Sequence, residues 1–202
     1  MNKKIRKIYS SLRQKYGKPK EQWRLWCKRP KTTKEKERVI IESILTQRAN
    51  WKNVELAISN LKKEKLLSLK GILKTGEKNI KKLELLIKPS GFYKQKSEYL
   101  LSIGKFFSGK DIPNNIDVLR KELLQVKGVG PETADSIILY ALHKPVFVID
   151  EYTRRLAKKE GISKDFSYEY LRELFEKNLP KSYVLYQDFH ALIVIDGKNK
   201  RK

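Results

Sequence analysis

Asp150 has the setting with the most chemical potential. An apolar run, Pro145-Val-Phe-Val-Ile149, leads into it, and the helical pattern Glu-Tyr-Thr-Arg-Arg155 follows. This places Asp150 at a helix N-cap, where its carboxylate accepts the first free backbone N–H groups. The helix dipole also favours the ionised form there. An oriented anion of this kind can stabilise positive charge developing on a sugar ring, or polarise a water. The cap and the chemistry are compatible duties for one side chain.

A second constellation lies just upstream, in LLQVKGVGPETADSIILYAL, residues 123–142. Two helical patterns flank a turn containing Gly128 and Gly130. Glycines permit positive φ and close backbone approach. Pro131 has no N–H and suits the first turn of the second helix. The turn would gather backbone N–H groups at a helix N-terminus, which is a site for a phosphate oxygen, and Lys127 adds positive charge beside it. The whole chain has the same bias. Lys and Arg total 46 against 23 Asp and Glu, a net charge of +23, which attracts polyanions.

Several classes are excluded. The single cysteine, Cys27, cannot form an internal disulfide or supply a thiolate cluster for zinc or iron–sulfur. It reads as a small buried hydrophobe in a reducing compartment. No apolar run is long enough to cross a membrane, and the first residues lack the apolar core of a secretory signal. The expected location is cytoplasmic, associated with the nucleoid.

The elements that must position these residues are helices. Residues 2–20 carry apolar side chains three and four apart, stopped by Gly17 and Pro19. Thr32 and Thr33 read as a cap before a buried helix, RVIIESILTQRANW, with Val39, Ile40, Ile44 and Leu45 on its apolar side. Further helices follow in NVELAISNLKKEK, LLSLKGILKT, NIKKLELLIK and KQKSEYLLSIGKFFSG; then comes a loop, KDIPNNID. The hairpin helices come next. After the extended run, helices lie in DEYTRRLAKKEG, SYEYLRELFEKNL and Val184 to Val194. No alternating strand pattern recurs, so the fold class is all-α.

The segment from Leu123 to Arg155 resembles the helix-hairpin-helix, Gly/Pro, Asp signature of the endonuclease III superfamily of DNA glycosylases. The matching residues are Val126 to Ala134, then Pro145, then Val148-Ile-Asp150, then Arg155. Upstream, Ser43-Ile-Leu-Thr-Gln47 resembles the family segment whose glutamine fills the gap left by an extruded base. Pro89-Ser-Gly-Phe-Tyr93-Lys-Gln-Lys96 is similar to the corresponding segment of the 3-methyladenine branch. The match covers roughly residues 20–195.

The resemblance implies two helical lobes with a DNA-binding cleft between them. Residues 38–149 would form a six-helix barrel carrying the hairpin at about 121–143. Residues 1–37 and 150–202 would form the second lobe. It also implies base excision driven by Asp150, on a monomer acting on duplex DNA that contains a damaged base. Gln47, Lys127, Gly128, Val129, Gly130, Glu132, Thr133 and Arg155 would contact the DNA, and the carbonyls of Val126 and Val129 would offer a site for K+ or Na+. Members that also act as lyases carry a lysine directly before Thr-Ala. Glu132 stands there, and a carboxylate cannot form an imine, so the resemblance implies a monofunctional enzyme using water. The four cysteines of the iron–sulfur branch are absent. Trp23, Trp26 and Trp51 correspond to base-stacking aromatics of the 3-methyladenine branch, with Trp51 one helical turn from Gln47. Leu192 occupies a position where that branch has a pocket lysine, which bears on the preferred lesion. His190 reads as structural and His143 as a surface residue at a helix end. Oxidised or mismatched bases, lyase activity, and a purely DNA-binding module are the alternatives.

Overall fold

The computed structural model describes residues 3–109 and 111–199. Asn2 of the first predicted helix, Lys110 of the predicted loop and residues 200–202 lie outside the described residues. Among those described, the regular elements are all helical. In chain order they are α1 (Lys3–Tyr16), α2 (Trp23–Trp26), α3 (Thr33–Leu45), α4 (Trp51–Lys63), α5 (Leu69–Lys78), α6 (Ile80–Ile87), α7 (Tyr93–Ser108), α8 (Ile116–Leu123), α9 (Pro131–Ser136), α10 (Glu151–Lys159), α11 (Tyr168–Asn178) and α12 (Tyr183–Asn199). A 3₁₀ turn spans Lys88–Ser90 and a π turn spans Ile137–Ala141.

The helix starts follow from side-chain caps. Thr32 and Glu35 form a reciprocal capping box ahead of α3. Asn50, Ser68, Asn79 and Asn115 each accept a backbone N–H of the helix they precede. Each such cap contributes about 1 kcal/mol. The second hairpin helix departs from the continuous helix the sequence suggests: α9 ends at Ser136, the π turn follows, and Lys144 N–H closes back onto the Ile138 carbonyl at 3.0 Å. The one-turn helix α2 also has no counterpart in the sequence reading.

The chain divides into two compact units, Met1–Arg29 with Ile138–Lys202, and Pro30–Ile137. In the Pro30–Ile137 unit, α7 packs against α3, α5 and α6. Its core is aliphatic, with Ile44, Leu45, Leu61, Ile72, Leu100 and Ile103 fully or almost fully buried. Arg120 of α8 makes a two-pronged contact with Asp135 of α9, at 2.7 and 3.2 Å. Asp135 has no exposure, so the pair joins the hairpin helices where solvent cannot compete.

In the other unit, α12 packs against α1 and α10. The core is aromatic: Phe147 stacks on Phe175 at 4.6 Å, and Phe189 meets Phe147 at 5.7 Å. Phe147 belongs to the extended run before Asp150. That run is buried and makes no sheet, so its N–H groups need other acceptors; Val146 N–H finds the Lys144 carbonyl at 3.0 Å. Phe147 N–H donates to Glu176 Oε1 at 2.8 Å, and Ile149 N–H donates to Tyr168 Oη at 3.5 Å. Both acceptors come from α11, which thereby holds the strand-like approach to Asp150.

Candidate functional site

Asp150 caps α10 as the sequence implied. Its Oδ1 accepts Thr153 N–H at 2.7 Å and the Thr153 hydroxyl at 2.9 Å. Oδ2 faces His190 Nε2 at 3.4 Å, an ion-pair distance without hydrogen-bond alignment. The side chain keeps 14% exposure. Burial pushes this carboxyl up, but the His190 contact and the Thr153 donors outweigh it and hold Asp150 below its ordinary value.

An aromatic cluster continues from His190. Trp23 lies edge-on to the imidazole at 5.8 Å, and Trp26 is edge-on to Trp23 at 5.8 Å. Tyr140 meets Trp26 at 5.0 Å, and its Oη lies 2.7 Å from His190 Nδ1. The two tryptophans are buried, and the Trp23 indole N–H has no hydrogen-bond partner among the described residues. A buried N–H without an acceptor is costly, so a ligand acceptor would relieve it. Asp150, His190, Trp23, Trp26 and Tyr140 therefore form one contiguous group within the Met1–Arg29 and Ile138–Lys202 unit.

Trp51 is placed otherwise. It opens α4 in the Pro30–Ile137 unit and donates its indole N–H to Glu55 at 3.0 Å. The expected helical turn shared with Gln47 does not exist. Helix α3 stops at Leu45, Arg48 turns the chain at φ 49°, and Asn50 caps a new helix.

The hairpin residues assemble in the Pro30–Ile137 unit around a cavity of about 480 Å³. Gln47, Arg48, Phe92, Lys96, Gly128, Gly130, Glu132 and Thr133 line it. The Gln47 amide donates to the Gly128 carbonyl at 2.9 Å and to Thr133 Oγ1 at 3.1 Å, which ties it to the hairpin. Gly128 sits at φ 84°, and a Cβ there would collide with the Tyr99 ring. Gly130 differs from expectation: its φ is −92°, so no positive φ requires glycine, and a Cβ would meet nothing within 4 Å. Its open side faces away from the protein, where a phosphate could approach. Val129 N–H donates to the Val126 carbonyl at 3.0 Å; a carbonyl has a second lone pair, so a monovalent cation could share it. Lys127 is exposed and paired with Glu98 at 2.7 Å, a hydrogen bond that raises its pKa. Glu132 is exposed on the first turn of α9, and Thr133 is buried. Arg155 is exposed on α10, paired with Glu151 at 2.7 Å.

The sequence reading gave several of these residues no place beside Asp150 or the hairpin. It took His190 as structural, because no spacing rule links residue 190 to residue 150. Lys96 is 2% exposed, and its ammonium donates to the Leu45 and Ser90 carbonyls at 2.7 Å each. Arg48 and Phe92 both adopt positive φ on the cavity rim, and Phe92 is largely exposed. Such strain in non-glycine residues concentrates at functional sites. Two other residues, Cys27 and His143, differ in environment from the expectation. Cys27 is half-buried, its Sγ 3.7 Å from the Gln187 carbonyl. His143 is half-buried and stacked on Tyr183 at 5.2 Å. Leu192 is wholly buried in α12. Among the described residues no group of three or more His, Cys, Asp or Glu side chains could hold a metal ion, and no helix is long and apolar enough to cross a membrane.

The family model for HhH-GPD base excision DNA repair proteins matches residues 41–181. The chain belongs to the HhH-GPD superfamily. It is 43% identical to a Methanocaldococcus jannaschii protein carried under the name of a DNA repair glycosylase, over 94% of this chain and 85% of that one. Endonuclease III of Thermotoga maritima is 30% identical over 71% of this chain and 65% of its own. Among solved structures, the H. pylori 3-methyladenine DNA glycosylase bound to 1,N6-ethenoadenine superposes with a TM-score of 0.74 at 28% identity, covering 97% and 96% of the two chains. As an HhH-GPD protein, this chain is a base-excision DNA glycosylase.

Proposed function

We propose that this HhH-GPD enzyme is a monofunctional glycosylase that removes an alkylated, 3-methyladenine-like purine from duplex DNA, with Asp150 as its catalytic carboxylate. The observation that carries the reading is the contiguity of Asp150 with the Trp23–Trp26–Tyr140 cluster. An ionised carboxylate stands at the end of a group of electron-rich rings. Such rings hold a cationic methylated base by stacking and cation–π attraction, worth about 1–2 kcal/mol when desolvated. The unpartnered Trp23 N–H offers a donor to an acceptor atom on the base. The H. pylori glycosylase, which shares the fold at 28% identity, holds an etheno-modified adenine.

The damaged nucleotide leaves the stack at a cost of a few kcal/mol. Gln47 fills the vacancy from the hairpin. Gly128, Val129, Gly130, Glu132 and Thr133 lie against the phosphate backbone with Lys127, and Arg155 adds a contact from α10. A monovalent cation on the Val126 and Val129 carbonyls would support the phosphate. Trp51 lies outside the aromatic group, so its pocket role rests on the resemblance alone. Asp150 stabilises the oxocarbenium-like sugar, and water completes the displacement.

One observation supports the water mechanism: Glu132 stands where an imine-forming lysine would be needed. The test is a panel of duplexes bearing alkylated, oxidised and mismatched bases, with borohydride added to an abasic duplex. Release of alkylated purine and no trapped covalent complex are expected. Trapping at a rate matching base release would overturn the monofunctional reading.

A further inference from the structure

The two oxygens of Asp150 have separate partners. Oδ1 is committed to the cap through both Thr153 donors. Oδ2 faces His190 Nε2 at 3.4 Å. His190 is 4% exposed, and its other nitrogen lies 2.7 Å from Tyr140 Oη. Tyr140 Oη in turn lies 3.2 Å from the Gln187 carbonyl. Gln187 is fully buried and donates its amide to the Leu139 carbonyl at 2.7 Å, which fixes that end of the chain of contacts.

Counting protons along this chain selects a tautomer. For Nε2 to face a carboxylate favourably, Nε2 must carry a hydrogen, and a neutral imidazole then leaves Nδ1 as an acceptor. Tyr140 has a single hydroxyl hydrogen, and it goes to Nδ1 at 2.7 Å, the shorter of its two contacts. The Gln187 carbonyl loses nothing by this: it lies within α12, where a helical N–H reaches it, and Cys27 Sγ lies 3.7 Å away. With the hydrogen on Nδ1 instead, a bare Nε2 lone pair would confront Oδ2.

We propose that His190 is the positioning residue of Asp150: its Nε2–H, with the ring braced at Nδ1 by the Tyr140 hydroxyl, holds Oδ2 ionised and aimed while Thr153 holds Oδ1. The inference rests on the reading of Asp150 as the catalytic carboxylate. The charged and titratable groups around the pair are Lys198 on α12, which acts on Asp150 at longer range, and Tyr140 on the π turn. Cys27, Asp188 and Arg29 act on Tyr140. Burial disfavours the Asp150 anion, and the His190 contact is the leading influence that restores it.

The experiment pairs two readouts on the full-length enzyme. Carboxyl NMR follows the Asp150 titration, and single-turnover release of methylated purine from dimethyl-sulfate-treated duplex gives the rate against pH. In His190→Gln the Asp150 midpoint is expected to rise by about one pH unit or more, and the acid limb of the excision profile to rise with it. Tyr140→Phe keeps the ring packing and removes only the hydroxyl; it should move both in the same direction by less, and it carries the test if His190→Gln does not fold. A purely structural His190 would lower the rate at every pH without moving the limb. An Asp150 midpoint unchanged in both variants overturns the pairing. A midpoint that moves while the excision limb stays put supports the pairing and overturns Asp150 as the catalytic group, so the two failures are distinguishable.

Discussion

Asparagine at position 150 would separate the two duties of the aspartate. Asn caps a helix about as well as Asp, so Asp150→Asn should keep α10 and the fold while removing the charge that faces the sugar. Loss of such a stabilising group costs on the order of 100- to 1000-fold in rate, and duplex binding should be nearly unchanged. The charge also contributes to stability with a definite sign. Asp150 titrates below its ordinary value in the folded chain, so its contribution is present above the unfolded carboxylate pKa and is lost as pH falls through the folded value. Denaturation of Asp150→Asn should therefore lack that part of the acid dependence seen in the wild type. Asp150 was legible in the sequence because an apolar run, a cap and a helix meet at one residue. His190 was not. Its partner lies forty positions away on another helix, and only packing brings the two rings and the carboxylate together.

Two glycines of one turn should behave differently. At Gly128, φ of 84° and the Tyr99 ring both oppose a side chain. Gly128→Ala should destabilise the protein by more than about 1 kcal/mol. At Gly130 the backbone is extended and nothing in the protein stands within 4 Å of a Cβ. Gly130→Ala should leave the thermal midpoint nearly unchanged and weaken duplex binding, because only the ligand comes to that side. Equal losses of stability in the two variants would contradict this division. The sequence marked both glycines alike, since type alone does not report φ. Lys96 is a second case that patterning could not show, a lysine on the buried face of α7 tying the end of α3 to the 3₁₀ turn. Removing it in Lys96→Met leaves two buried carbonyls without a donor, at about 1–3 kcal/mol. Burial lowers its pKa from 10.5 to about 8. The unfolded chain then binds the extra proton between those values, so stability should rise with pH across that window in the wild type. Lys96→Met should not show the rise. The start of α3 was legible, because Thr32 is a capping type at the right offset; Asn50 and Ser68, which cap α4 and α5, fell inside stretches read as helix from their periodicity. Helix α2 and the π turn were not, since one turn is too short for periodicity and a π turn keeps the residue types of an α-helix.

At the scale of the whole chain, the net charge of +23 is the property a DNA backbone meets first. Binding to undamaged duplex should weaken steeply with salt, by about 0.9 in the logarithmic slope per phosphate neutralised. Lys127→Ala should reduce that slope by about 1 if Lys127 reaches a phosphate. An unchanged slope would mean that its pairing with Glu98 persists on DNA. Composition and the hairpin motif made the all-helical class and the nucleic-acid partner legible. They could not show that Trp51 falls in the Pro30–Ile137 unit while Trp23 and Trp26 fall in the other, because that depends on where the chain folds back. The measurement that bears most directly on the central claim is release of free methylated purine from dimethyl-sulfate-treated duplex by wild type and Asp150→Asn, with binding to the same duplex measured alongside. The expected result is rapid release by the wild type, leaving an unbroken abasic strand, and for Asp150→Asn equal binding with release slowed on the order of 100- to 1000-fold. Wild-type release by Asp150→Asn would contradict the account.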